Sequence, residues 1–329
     1  MGFSKYLRLF MALGVVTAAL GGCSSDSASA GPAPASYSGK TTEATVTSDN
    51  SKDIGNSSID GAGAGLSFGS LAASGQNSNK AQLLGLASNM HSRMMELDVS
   101  STGNSQTSLA AVNTYNNTVT SNCGGSYSYS YTLDSVTYAY SGTYTYNGYV
   151  DCKDKGTTSG TVTYSGTYNL SGAYFPTLKY EFTALTYTYD NESMTMTGSF
   201  DLTMTSLLNY SFTMNMDFRD NIKNVTFKLE NYVAAVVEDA SKTFADIQLS
   251  GKIYHSVHGF VAVSTTTALR AYAADDYPTS GVMKLVGTSN SAVIVTFTSN
   301  DTYTLQIDSN GDATYETTKS CTWSTDTCS

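Results

Sequence analysis

Between Ser193 and Phe218 the chain alternates so regularly that it can be little other than sheet. Met194, Met196, Gly198, Phe200, Leu202 and Met204 take one parity, and Thr195, Thr197, Ser199, Asp201 and Thr203 the other. Side chains of a strand alternate between its faces, so this pattern predicts a long half-buried strand. Leu208, Tyr210, Phe212, Met214, Met216 and Phe218 repeat it against Asn209, Ser211, Thr213, Asn215 and Asp217. A link as short as that around Ser206 and Leu207 joins the two antiparallel.

The same period runs through the tyrosine-rich section 115–189, which holds 15 of the 24 tyrosines. Tyr127, Tyr129 and Tyr131 alternate with serines, and Tyr144 and Tyr146 flank Thr145, so rings and small hydroxyls fall on opposite faces. The motif Tyr-Ser-Gly-Thr-Tyr occurs at Tyr140–Tyr144 and again at Tyr164–Tyr168, which fits two related strand pairs in one sheet. Near Ala184 and Leu185 the alternation slips by one residue, predicting a bulge. Strands are further expected at Ala292–Thr298, Thr302–Ile307 and Ala313–Thr318. The reading is an all-β domain over 99–329, an antiparallel meander of about thirteen to fifteen strands. One apolar side must be hidden, in a sandwich or a partly open barrel.

Composition narrows function. Charged residues are 13% of the chain and the net charge is -10, so a nucleic-acid backbone is a poor partner. Four prolines and abundant Thr, Ser and Tyr also disfavour a helical bundle.

The N-terminus has its own logic. Lys5 and Arg8 precede the apolar run Leu9–Leu20, so residues 1–22 read as a signal peptide. The sequence Leu20-Gly21-Gly22-Cys23 resembles the lipobox of bacterial lipoproteins. That resemblance implies cleavage before Cys23, acyl chains on its sulfur, and membrane attachment through that lipid; Ser24 rather than Asp then implies the outer membrane. Removing Lys5 and Arg8 leaves 15 basic against 27 acidic residues, a net -12, so the lipid rather than a basic patch does the attaching. Residues 23–80, rich in Ser, Gly and Ala, are expected to form a flexible tether with a reach of roughly 40 Å. Leu83, Leu86, Ala87, Met90, Met94 and Leu97 recur at helical spacing, predicting one amphipathic helix over 81–98. The stretch Gly259–Val263, then Tyr277–Gly281, the Asn310–Asp312 turn and Trp323, is similar to the C-terminal part of uncharacterised bacterial lipoproteins.

Beyond Cys23 four cysteines remain, and an even number behind a signal peptide reads as two disulfides. Pairing Cys123 with Cys152 and Cys321 with Cys328 brackets two compact segments, contributing roughly 3.6 and 2.5 kcal/mol on the loop-entropy model.

Catalytic groups are scarce. His255 and His258, on the expected strand, point to opposite faces, and His91 is the only other histidine. The Gly65-Leu66-Ser67-Phe68-Gly69 match to a nucleophile elbow lacks a strand-turn-helix context. Asp308, Asn310 and Asp312 resemble part of a calcium loop, yet an Asn-Gly hairpin turn explains them without an ion. The expectation is a non-catalytic envelope module without cofactor, binding protein or glycan. The alternatives are a carrier whose Met196, Met204, Phe212, Met214 and Met216 face holds an acyl chain or lipid, and a transmembrane barrel.

Overall fold

The computed structural model describes residues 32–58 and 112–329, apart from 151, 153–155, 170–173, 190–191, 223, 273–274, 276 and 326. The signal segment, Cys23, the helix expected over 81–98, His91 and the Gly65–Gly69 match lie outside the described residues.

Among the described residues, fifteen antiparallel strands follow one another in space as they do in sequence. They are β1 (Val112–Thr120), β2 (Ser126–Asp134), β3 (Ala139–Val150), β4 (Thr157–Asn169), β5 (Tyr174–Tyr189), β6 (Glu192–Ser206), β7 (Asn209–Asp220) and β8 (Val225–Glu238). The sheet continues through β9 (Phe244–His255), β10 (Gly259–Tyr272), β11 (Ser280–Val286), β12 (Ala292–Phe297), β13 (Thr302–Asp308), β14 (Thr317–Thr322) and β15 (Thr327–Cys328). Among the described residues the sheet is single and open, with β1 and β15 as its two edges. β6 and β7 pair in the register the alternation demands, Phe200 opposite Met214 and Leu202 opposite Phe212.

One face is buried along nearly the whole meander. Its apolar side chains form a single cluster running from Tyr131 on β2 to Cys321 on β14. The strands do not stay straight. Register shifts fall at 159–161 on β4, 182–185 on β5, 214–216 on β7 and 230–233 on β8. Beside them Gly160, Ala184, Gly198, Asn231, Gly251 and Gly281 adopt positive φ. A bulge in one strand forces a matching adjustment in the next, so these positions crease the sheet from β4 to β11. The slip expected at Ala184 and Leu185 is one step of that crease, with Ala184 at φ 51°.

The expected tether is where sequence and structure part. Residues 32–58 are not free of the domain but cross it as a strap. On the polar face, Ala35 N–H donates to Thr197 Oγ1, Tyr37 N–H to Asp217, and Ser38 N–H to Thr226 Oγ1. Thr226 is consequently buried although its strand parity points it away from the core. The strap then meets the β9–β10 turn, where Lys40 N–H reaches Ser256 O, and runs beside β10, where Ala44 N–H reaches Phe260 O. It passes the β11–β12 turn so closely that a Cβ on Gly287 would lie 2.0 Å from Ala44 O. A short helix, α1 (51–58), follows and buries Ile54 in the main cluster. Tyr232 on β8 donates to Ser58 O, and Tyr303 on β13 to Asn56 Oδ1. All these partners lie on β6–β14.

The strand expected at Ala313–Thr318 begins later, at Thr317. Asp308 accounts for the delay. Its two carboxylate oxygens accept the N–H groups of Gly311 and Ala313, and Ala313 sits at φ 67°, so residues 309–316 form a wide turn.

Candidate binding surface

The outer face of β2–β5 carries an open groove of about 510 Å³. Its sides are two register rows. Ser130, Thr143, Thr163 and Glu181 stand opposite one another across the four strands, and so do Thr132, Ser141, Ser165 and Lys179. Adjacent strands lie about 4.8 Å apart and same-face neighbours along a strand about 6.8 Å, so the rows make a lattice of hydroxyls. Thr132 and Ser141 bond each other through their hydroxyls at 3.0 Å. At the β5 side Lys179 pairs with Glu181 at 2.9 Å and Asp201 at 4.0 Å, and its ammonium pKa is raised chiefly by the hydrogen bond to Glu181.

Tyrosines and glycines pack beneath this face. Tyr140 opposes Gly166, and Tyr164 opposes Gly142, so the two Tyr-Ser-Gly-Thr-Tyr motifs pair with each other. Each tyrosine leans across the glycine of the other motif. A Cβ on Gly142 would lie 2.4 Å from the Tyr164 hydroxyl, and one on Gly166 2.6 Å from that of Tyr140. Rings covering glycines is a known way of packing a strand that lacks a side chain.

The rings continue as a ladder on the inner side, where Tyr129 and Tyr131 lie 6.1 Å apart, Tyr144 and Tyr164 5.7 Å, and Tyr180 and Phe200 6.3 Å. Rings here are buried or half-buried, so the exposed surface on this part of the sheet is Ser and Thr. Burial pushes the phenols of Tyr140, Tyr144, Tyr146 and Tyr164 well up, and neighbouring tyrosines add to the shift. The hydroxyls of Tyr140 and Tyr146 are enclosed with no hydrogen-bond partner. Each such group costs about 1–3 kcal/mol.

The candidate carrier face is different. Met196, Met204, Phe212, Met214 and Met216 are 0–3% exposed, which leaves no water-sized space beside them. They are packed core. The four described cysteines pair Cys123 with Cys152 and Cys321 with Cys328. The first bridge ties the β1–β2 turn to the end of β3, and the second joins β14 to β15.

Asp308 and Asp312 converge with Glu316, their oxygens within 4.8 Å of one another. These oxygens already have work: Asp308 takes two backbone N–H groups, Asp312 that of Thr314, and Glu316 that of Ser309. Asn310 Oδ1 accepts from Asp312 N–H. The cluster is accounted for by closing its own turn.

His255 and His258 do not point to opposite faces. They flank the β9–β10 turn, and their rings stack at 4.5 Å because the strand period ends there. His255 Nδ1 accepts from the N–H groups of Val257 and His258, and burial lowers its pKa. His258 reaches Asp53 of α1 at 3.4 Å, so the pair helps hold the strap. Of Gly259–Val263, Tyr277–Gly281, the Asn310–Asp312 turn and Trp323, the structure unites Tyr277 and Trp323, stacked at 4.5 Å with Tyr303 on Trp323 at 4.0 Å. Gly311 instead approaches Ser289 at the rim the strap crosses.

Sequence reasoning missed the groove because its walls come from four strands and exist only in register. The alternating Ser and Thr were visible; which of them stand side by side was not. No known family model matches the chain, and neither a curated relative nor a solved structure is similar to it.

Proposed function

We propose that this chain is a non-catalytic envelope lipoprotein, anchored through lipid on Cys23, that binds a polyhydroxylated ligand such as a cell-wall glycan on the outer face of β2–β5. The groove of paired hydroxyl rows carries the reading. Ser and Thr both donate and accept, so a lattice of them matches the vicinal hydroxyls of a sugar chain. Lys179 and Glu181 at one side add charged partners, which form stronger hydrogen bonds. The dry packing of Met196, Met214 and Met216 favours a surface-binding module over a carrier that stores an acyl chain inside. A spanning barrel would turn apolar side chains outward, whereas the outer side of β2–β5 is Ser and Thr.

Titrating the full chain in detergent with cell-wall oligosaccharides tests the site. Thr143→Val with Thr163→Val removes two hydroxyls while keeping shape and strand preference, and is expected to weaken binding roughly tenfold with an unchanged melting temperature. Equal affinity in the variant, or no binding by the parent chain, would count against the groove. The anchor is tested separately by radiolabelled fatty acid, which the parent should incorporate and Cys23→Ser should not.

A further inference from the structure

The strap passes from the outer to the inner side of the sheet at the β9–β10 turn, and a histidine builds that turn. His255 Nδ1 accepts the N–H groups of Val257 at 3.2 Å and His258 at 3.4 Å, so the neutral ring carries its proton on Nε2. The strap is bound to the backbone of the same residues. Lys40 N–H donates to Ser256 O at 2.9 Å, the Tyr37 hydroxyl lies 3.1 Å from His255 O, and Phe260 N–H donates to Thr42 O at 3.1 Å. A Cβ on Gly39 would lie 2.5 Å from Ser256 Cα, so strap and turn touch with no room between them.

We propose that His255 and His258 form an acid-opened clasp, in which a proton on His255 breaks the turn and frees the outer part of the strap, residues 35–40, while α1 stays docked. An imidazolium has no acceptor nitrogen. Protonated Nδ1 therefore loses both backbone bonds and turns a positive ring toward two N–H dipoles. That ring is stacked on His258 at 4.5 Å. One carboxylate serves the two rings, and it is engaged by His258, whose Nε2 lies 3.4 Å from Asp53 Oδ2. A proton on His258 tightens α1, whereas a second proton on His255 has no partner of its own. Ile54 in the core, with the bonds from Tyr232 to Ser58 O and from Tyr303 to Asn56, keeps α1 in place.

The remaining charges near the turn are otherwise placed. Lys40 on the strap and Lys52 beside Asp53 are of like sign, and Glu43 is exposed at the bridge to Phe260. Tyr254 on β9 and Lys228 on β8 both bond Glu230 on the outer face. On β7, Asp217 takes the Tyr37 N–H, Asp220 that of Ile222, and Arg219 stands opposite Thr226. Lys223 of the β7–β8 turn lies outside the described residues, and β10 has no charge from Gly259 to Leu269. Burial and then His258 lower the His255 pKa, against a smaller opposite effect of Asp53. Above about pH 6.5, the ordinary histidine value, the ring is neutral whether the strap is docked or free. Below it the freed turn binds a proton that the docked turn does not, so docking weakens by up to about tenfold per pH unit until the docked ring titrates as well. Release uncovers Thr197, Asp217 and Thr226 on the face that also carries Lys179 and the groove.

Hydrogen exchange of the full chain in detergent tests the clasp, with rates expressed as protection factors so that the intrinsic pH dependence of exchange cancels. Between pH 7 and pH 5 the Ser38 and Lys40 amides should lose roughly tenfold in protection, with the Ile54 amide and those of β11–β13 unchanged. His255→Gln cannot take up the proton and should abolish that pH dependence. If that variant does not fold, the His255 imidazole titrated by NMR in the parent chain decides, with a midpoint below about 6.5 expected. Strap protection indifferent to pH, a pH dependence untouched by His255→Gln, an equal loss across β11–β13, or a His255 midpoint at or above the ordinary value would each overturn the proposal.

Discussion

Two halves of one sheet bury their inner faces with different materials. In β2–β5 the core is a ladder of tyrosines over glycines, and two of its hydroxyls, on Tyr140 and Tyr146, are enclosed without a partner. In β11–β13 it is mostly aliphatic, with Met283, Leu285, Val293, Val295, Leu305 and Ile307 each at 0% exposure, joined by Phe297 and by Tyr303, whose hydroxyl donates to Asn56 Oδ1. The strap divides the halves in the same place. Its bonds reach β6–β14, while among the described residues β1–β5 are held by lateral pairing and the Cys123–Cys152 bridge. Phenol packing lies beneath the hydroxyl lattice, but it desolvates polar atoms that aliphatic packing does not contain. The tyrosine half is therefore the softer of the two, and it is also the half that carries the groove.

Alkali should break the comparison most severely. The buried phenols of Tyr140, Tyr144, Tyr146, Tyr164 and Tyr180 have raised folded-state pKa values, mainly through desolvation. Above pH 10, about the ordinary value for tyrosine, the unfolded chain releases protons that the folded chain retains, so stability falls as pH rises further and is unaffected below. Tyr37 in the strap, pushed up to about 12 by burial, joins the same window. Phenolate absorbance should rise together with loss of near-ultraviolet circular dichroism. Full ionisation near pH 10 with the fold intact would show that these rings are not buried.

A large but smaller effect is expected from Leu305→Ala, a cavity in the strap-covered half. Equilibrium denaturation should show a loss of about 2–5 kcal/mol. The most discriminating pair of changes is the smallest. Tyr146→Phe removes an unpartnered hydroxyl and should raise stability by about 1 kcal/mol, whereas Tyr232→Phe removes the bond to Ser58 O and should lower it by about as much. Equal signs would erase the distinction between the halves.

Much of this was legible because the period-two code is local. The alternation from Met194 to Phe218 identified β6 and β7, and the slip at Ala184 located a step of the crease. The two Tyr-Ser-Gly-Thr-Tyr motifs suggest two related strand pairs, whereas they lie on neighbouring strands and pair with each other, a relation that needs the register of β3 on β4. The strap was illegible for the opposite reason. Ala35, Tyr37 and Ser38 bind through backbone N–H groups to side chains more than 160 residues away, and a backbone donor leaves no mark in a sequence. His255 and His258 were misplaced because a strand period was carried one turn too far. The groove needed four strands in register, a relation no single segment contains.

Native-state hydrogen exchange, resolved by strand, tests the central claim most directly. Amides of β11–β13 should exchange only through global unfolding, and those of β2–β5 through a smaller opening of lower free energy. Equal protection in both halves, or the reverse order, would contradict the account.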